Sequence, residues 1–277
     1  MQPVSQVSVN HMLGVHTLRF DDTNGDTITV ANGVNGDSKM QVRGALMSEK
    51  VVFETMRSYF SSSGTVVFCL EEHLERLRIS AGLMSVPMPE IDRLTAEISE
   101  VAVGDRSIRV TLGEGGSRLV ESSPCDFSRV GLPVSVGTFE VDDSPKFPST
   151  AKHGYRSAWS DSASLQGVDE VLLVSSKGEI LESNNSNVFA VVGGKIVTPP
   201  LDGRQLAGVT RQSVIELALG MGLQVQEGAL LLSDPFDELF LTSSLKEVAP
   251  VSSICGKALK SGSVTVRLQK SFSTLYR

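Results

Sequence analysis

The chain has 277 residues, 40% of them hydrophobic and 21% charged, with a formal net charge of −7 at neutral pH. This is enough for one large or two modest soluble domains with a buried core. The acidic balance argues against general binding to a nucleic-acid backbone, which needs clustered Lys and Arg, and no apolar run approaches the roughly 18 residues of a membrane span.

The first forty residues carry weak signals. Asn24-Gly25-Asp26 and Asn32-Gly33 read as turns beside short strands such as Thr27 to Val30. Val51 to Phe60 mixes β-branched and aromatic residues and predicts a strand, and Ser61-Ser62-Ser63-Gly64 turns the chain into a second, Thr65 to Phe68. Glu71 to Met84 predicts a helix, because Leu74, Leu77, Ala81 and Met84 recur at spacings of three and four. Glu71 and Glu72 fall in its first turn, where the helix dipole favours negative charge. Pro89 to Val103 reads as another helix and Ser107 to Leu112 as a strand ended by Gly113-Glu114-Gly115-Gly116. Residues 121 to 132, with Ser122-Ser123-Pro124, show little periodicity and read as a domain junction, dividing 1–125 from 126–277. Beyond it, strands are expected at Val134 to Val141, Val171 to Ser175, Val188 to Val192 and Leu239 to Thr242, alternating with helices at about 154–165 and 211–221. The fold class is α/β (α+β), a small N-terminal α/β domain followed by a larger C-terminal one.

Cys69, Cys125 and Cys255 are far apart, odd in number and without CxxC spacing, as free thiols in a reducing compartment would be. Met1 to Met12 lacks the positive and apolar regions of a secretory signal, so a cytoplasmic protein is expected. His11, His16, His73 and His153 show no metal-ligand spacing, and no metal is expected. Gly113 to Gly116 lacks the Gly-Lys-Ser/Thr ending of a P-loop.

Several residues have the right chemistry for a site, although each alone is also an ordinary surface residue. Lys152, between an irregular Pro/Ser-rich stretch and a helix, would become a nucleophile if partly desolvated. Glu182, near a hairpin turn, would hold a neighbouring ring nitrogen protonated. Gly208-Val209-Thr210-Arg211 precedes an apolar-periodic helix, so its N–H groups suit a phosphate, with Thr210 as N-cap. Thr242-Ser243-Ser244 offers hydroxyls and amides at a strand end. His73 and Arg76 stand three apart on the amphipathic helix, where Arg76 would supply a phosphate fork.

The order of these motifs resembles the class IV (fold type IV) pyridoxal-phosphate enzymes: the branched-chain and D-amino acid aminotransferases, the R-selective amine transaminases and the aminodeoxychorismate lyases. The resemblance runs from Phe53-Glu54-Thr55-Met56-Arg57 and Glu72 to Leu77 through Lys152, Asp169 to Leu173, Glu182 to Phe189, Thr198-Pro199 and Gly208 to Arg211. It ends with Leu241 to Ser244 and Glu247-Val248-Ala249-Pro250-Val251, covering about residues 43 to 252. It implies pyridoxal 5′-phosphate held by Lys152 as a Schiff base, with Glu182 at the pyridine nitrogen. Arg76, the amides of Val209 and Thr210, and Ser243 with Ser244 would take the phosphate. Tyr155 is closer to Lys152 in sequence than the ring-contacting tyrosine of branched-chain members. The implied reaction transfers an amino group between an amino acid and a 2-oxo acid. The alternative is a 4-amino-4-deoxychorismate lyase releasing pyruvate and 4-aminobenzoate, and a further one is a non-catalytic relative. Lys152-His153 resembles the lyases; Glu247 to Val251 resembles the aminotransferases. Thr55 and, by analogy with D-amino acid enzymes, Arg118 would face the substrate. The chain departs from the family at residues 47–52, where an aromatic and glycines are missing. A homodimer, with the active site between the two domains, is implied as well.

Overall fold

The computed structural model describes residues 7–10, 17–21, 27–31, 46, 50–62, 64–142, 146–155, 157–260 and 262–276. The turns expected at 24–26 and 32–33, His11, His16 and the first part of the divergent 47–52 segment lie outside these residues. The chain divides into two units. The first holds the described residues up to Cys125 together with Ala151–Gly154 and Tyr276, and the second holds those of Asp126–Thr150 and Tyr155–Leu275.

In the first unit, strands β1 (Val7–Asn10), β2 (Thr17–Asp21), β3 (Thr27–Ala31), β4 (Val51–Ser61), β5 (Gly64–Val67), β6 (Arg106–Gly113) and β7 (Arg118–Pro124) form one antiparallel sheet. Its order is β1-β2-β3-β7-β6-β4-β5. Helices α1 (Leu70–Met84) and α2 (Ile91–Val101) pack on it. Alternation along the strands gives the sheet two faces. Val52, Met56, Ile108, Val110, Leu112 and Val120 point to the helices and are all buried. The other face carries Phe53, Thr55, Arg109 and Glu121 by the same register. Residues 121–124, expected in a junction, complete β7. Their polar composition hides a strand that exists because β6 and β3 pair with it on both sides.

The second unit is built on a mixed sheet of ten strands: β8 (Val134–Glu140), β9 (Glu170–Val174), β10 (Glu179–Ser183), β11 (Asn187–Val192), β12 (Lys195–Thr198), β13 (Val225–Glu227), β14 (Leu230–Leu231), β15 (Glu238–Ser243), β16 (Glu247–Ile254) and β17 (Lys257–Ala258). The order is β13-β12-β11-β15-β16-β8-β9-β10-β14, with β17 on β16. Val136, Leu172, Ile180, Val188, Leu239, Leu241 and Val251 make one continuous core. Helix α3 (Ser157–Gln166) packs on β8 and β9, where Trp159, Ala163, Val171 and Leu173 form a smaller cluster. Helices α4 (Val209–Gly220) and α5 (Ser263–Phe272) pack near β15 and against each other. No helix among the described residues is long and apolar enough to cross a membrane.

Candidate active site

In the first unit, Lys152 is positioned by its backbone. The Phe53 N–H donates to the Lys152 carbonyl at 2.9 Å and the Gly154 N–H donates to the Val51 carbonyl at 3.1 Å. Residues 152–154 thus form an antiparallel bridge on the edge of β4, with Val52 opposite His153. The Lys152 N–H donates to Ser80 Oγ at 3.0 Å, which ties the segment to α1 as well. The side chain is half-buried, and its Nζ lies 5.2 Å from the centre of the Phe53 ring.

The buried stripe of α1 is not wholly apolar. His73, Arg76 and Ser80 recur at the same spacings as Leu74, Leu77 and Met84 and are buried with them. The Glu54 carboxylate, completely buried on β4, accepts from Arg76 Nε and Nη2, both at 2.7 Å, and pairs with His73 Nδ1 at 2.9 Å. Burial pushes the Glu54 carboxyl up. The Arg76 charge and the hydrogen bonds from Arg76 and His73 outweigh it and hold the pKa at about 2. Burial pulls His73 below its ordinary value against the attraction of Glu54, and the charges of Arg76 and Lys152 act in the same direction as burial.

Arg118 was expected at a substrate carboxylate. Instead it opens β7, is buried, and turns its Nε and Nη2 onto the two oxygens of Glu97 on α2. Its register partner is Leu112, which places it on the helix-covered face, away from Phe53. A cation that does lie on the Phe53 face is Arg109, whose guanidinium carbon is 3.7 Å from the ring centre. It stands opposite Thr55 in the β4–β6 register. Sequence reading missed Arg109. The available signal was a charge inside the apolar run Ile108-Arg109-Val110, placed two residues along the strand from the Phe53 partner.

In the second unit, Glu182 is buried and its Oε2 accepts the Leu206 N–H at 3.0 Å. A register shift between Ile180 and Glu182 breaks the alternation of β10. Leu181 and Glu182 consequently line the same cavity, of about 260 Å³, with Phe139, Trp159, Leu173 and Arg204. Bulges of this kind re-aim side chains beside functional sites. Beyond Glu182 the chain folds back tightly: the Ser183 N–H donates to the Ser186 carbonyl, and Asn184 exchanges two hydrogen bonds with the Val171 backbone.

Asn187 then donates from Nδ2 to the Leu206 carbonyl, which brings the Leu206–Gly208 segment to β11. Gly208, not Thr210, is the N-cap of α4, with extended backbone and no side-chain cap. The helix starts one residue before Thr210, which is buried in its first turn with Val209. A Cβ on Gly208 would collide with Asn187 Oδ1, so the close approach requires glycine. Arg211 is a structural anchor, donating from Nη2 to the Pro199 carbonyl and to Glu227. Ser243 and Ser244 are half-buried in the turn between β15 and β16, where Ser243 Oγ accepts the Lys246 N–H. Tyr155 is half exposed and stacks on Phe147 at 4.2 Å.

Within the first unit a half-buried amine lies near an aromatic ring; within the second a buried carboxylate lines a cavity and a helix N-terminus lacks a side-chain cap. Each is a kind of group that a phosphorylated, ring-nitrogen cofactor uses. The comparisons agree. Residues 51–254 match the amino-transferase class IV family. A probable branched-chain-amino-acid aminotransferase of Rickettsia felis is 31% identical, covering 73% of this chain and 77% of that protein. Among solved structures, the Escherichia coli branched-chain amino acid aminotransferase superposes with a TM-score of 0.73 at 27% identity, covering 82% of this chain and 86% of that one. The T.th. branched-chain amino acid aminotransferase complexed with N-(5′-phosphopyridoxyl)-L-glutamate gives a TM-score of 0.75 at 27% identity, with the same coverage. The chain belongs to the class IV aminotransferases, with their mixed α/β fold, and is an enzyme.

Proposed function

We propose that this class IV aminotransferase binds pyridoxal 5′-phosphate and moves an amino group between a branched-chain amino acid and a 2-oxo acid. The observation that carries the reading is Lys152: its backbone is fixed on both sides and its amine is half-buried beside Phe53, in a chain whose residues 51–254 match the family. The branched-chain substrate rests on what the relatives are named for, and a cytoplasmic homodimer on the family resemblance.

Bound pyridoxal phosphate supplies an electron sink for the negative charge left when a proton leaves the carbon bearing the substrate amine. Lys152 Nζ would hold the cofactor and would take and return that proton as general base and acid. Glu182 keeps the ring nitrogen protonated, because a nearby opposite charge favours the charged form. Arg76, oriented by Glu54, binds the phosphate together with the Val209 and Thr210 N–H groups and the Ser243 and Ser244 hydroxyls. Arg109 and Thr55, on the Phe53 face, bind and orient the substrate.

The test is the absorbance of the purified protein with pyridoxal phosphate during single additions of L-leucine, L-glutamate, D-glutamate and D-alanine. Loss of the visible band with L-leucine and L-glutamate is expected. A response confined to the D-donors would move the substrate to D-amino acids. A visible band stable to all four would favour the lyase, and a protein that takes up no cofactor would end the reading.

A further inference from the structure

Glu170 opens β9 and is completely buried, yet none of the roles above uses it. Its carboxylate is a hub. Ser183 Oγ donates to Oε2, Ser186 Oγ donates to Oε1 at 3.0 Å, and Lys246 Nζ reaches the same Oε1. These three partners come from two separate stretches of chain. Ser183 and Ser186 bracket the reversal that follows Glu182. Lys246 ends the turn that contains Ser243 and Ser244, and its own N–H and carbonyl are tied to Ser243 Oγ and the Gly131 N–H. The Lys246 side chain is about one-third exposed, so its charge is the outer member of the pair and Glu170 the inner one. A buried carboxylate with three donors resists displacement, because removing Lys246 leaves its charge uncompensated and removing either serine leaves an oxygen short of a donor.

We propose that Glu170 and Lys246 form a positioning pair that locks the Ser243–Lys246 turn to the Ser183–Asn187 segment and thereby sets how tightly the phosphate of pyridoxal phosphate is held. This rests on the cofactor assignment above. In this scheme Lys246 acts through Glu170 and the turn, not as a phosphate ligand. It fixes the hydroxyl-bearing turn whose groups bind the phosphate. The charge, rather than the length of the side chain, is what matters: arginine can replace it and methionine cannot.

The experiment follows loss of pyridoxal phosphate from the purified full-length holoenzyme on dilution, read from its visible absorbance, for wild type, Lys246→Met, Lys246→Arg and Glu170→Gln. Lys246→Met should lose cofactor at least tenfold faster than wild type, with a displaced absorbance maximum. Lys246→Arg should stay within about twofold of wild type, because the ion pair is rebuilt. Glu170→Gln should follow Lys246→Met. Retention by Lys246→Met equal to wild type would overturn the pair, as would equal weakening by Met and Arg, which would reduce Lys246 to a packing role. If Glu170→Gln does not fold, the Met and Arg variants alone decide the matter. A wild type that carries no pyridoxal phosphate would instead overturn the functional reading, and the pair with it.

Discussion

Glu54 stays ionised in a site that excludes water because Arg76 and His73 hold it there. Its folded-state pKa, about 2, lies below the ordinary 4.5. The stabilisation is therefore complete above about pH 4.5 and is lost as pH falls through about 2. Glu54→Gln should cost roughly 3 kcal/mol at neutral pH, since it strands a buried guanidinium. In urea denaturation the gap from wild type should close as the pH falls from 4.5 toward 2; a gap insensitive to pH would deny the charge its role. His73 adds a second window. Its folded pKa is depressed, so the unfolded chain takes up the proton first and stability declines as pH drops through its ordinary value of 6.5. For catalysis, Lys152→Ala should lower turnover by at least about a hundredfold while phosphate-side binding persists, measured by steady-state rate and cofactor titration. Glu182→Gln should slow proton removal by roughly tenfold or more through a weaker electron sink, and unchanged kinetics would remove its role.

At the level of elements, most strands and helices follow their local patterns, and the exceptions have identifiable causes. Strand β16 contains Pro250, which ordinarily argues against a strand. Here the parallel pairing with β8 begins one residue later, at Val251, so the missing N–H is not called on from that side. Helix α5 was not predicted; its N-cap is Gly262, which has no capping side chain. The cap comes from β15: Glu238 accepts from the Val264 N–H, the Thr265 N–H and Thr265 Oγ1. Glu238→Ala should therefore destabilise the protein by about 1 to 2 kcal/mol. A melting temperature equal to wild type would show that the helix needs no such cap. At α4, Gly208→Ala would force Asn187 away from its contact with Leu206. It should weaken cofactor retention at a structural cost of about 1 to 3 kcal/mol. Retention like that of wild type would separate this close approach from the phosphate-binding role.

At the scale of the molecule, the chain does not keep its units in consecutive order. Ala151–Gly154 belongs with β4 although it lies far along the sequence from it. The proposed homodimer predicts a particle of twice the monomer mass in sedimentation or light scattering at micromolar concentration; a monomer that turns over normally would refute it.

Local chemistry was enough to reveal the helices of the first unit, the hydrophobic strands, and the ordered motifs around Lys152, Glu182, Gly208 and Ser243. Side-chain periodicity and turn residues act over a few positions, and the family's motifs are written in that short-range code. Which partner each charge finds was settled only by tertiary structure. Arg118 was visible as a cation, but strand register turned it onto Glu97 and left Arg109 on the Lys152 face. Glu54, Glu170 and Glu238 look like ordinary strand residues in the sequence. Each is buried among donors from distant segments. Burial of a carboxylate depends on what long-range packing brings to it, and no local pattern encodes that.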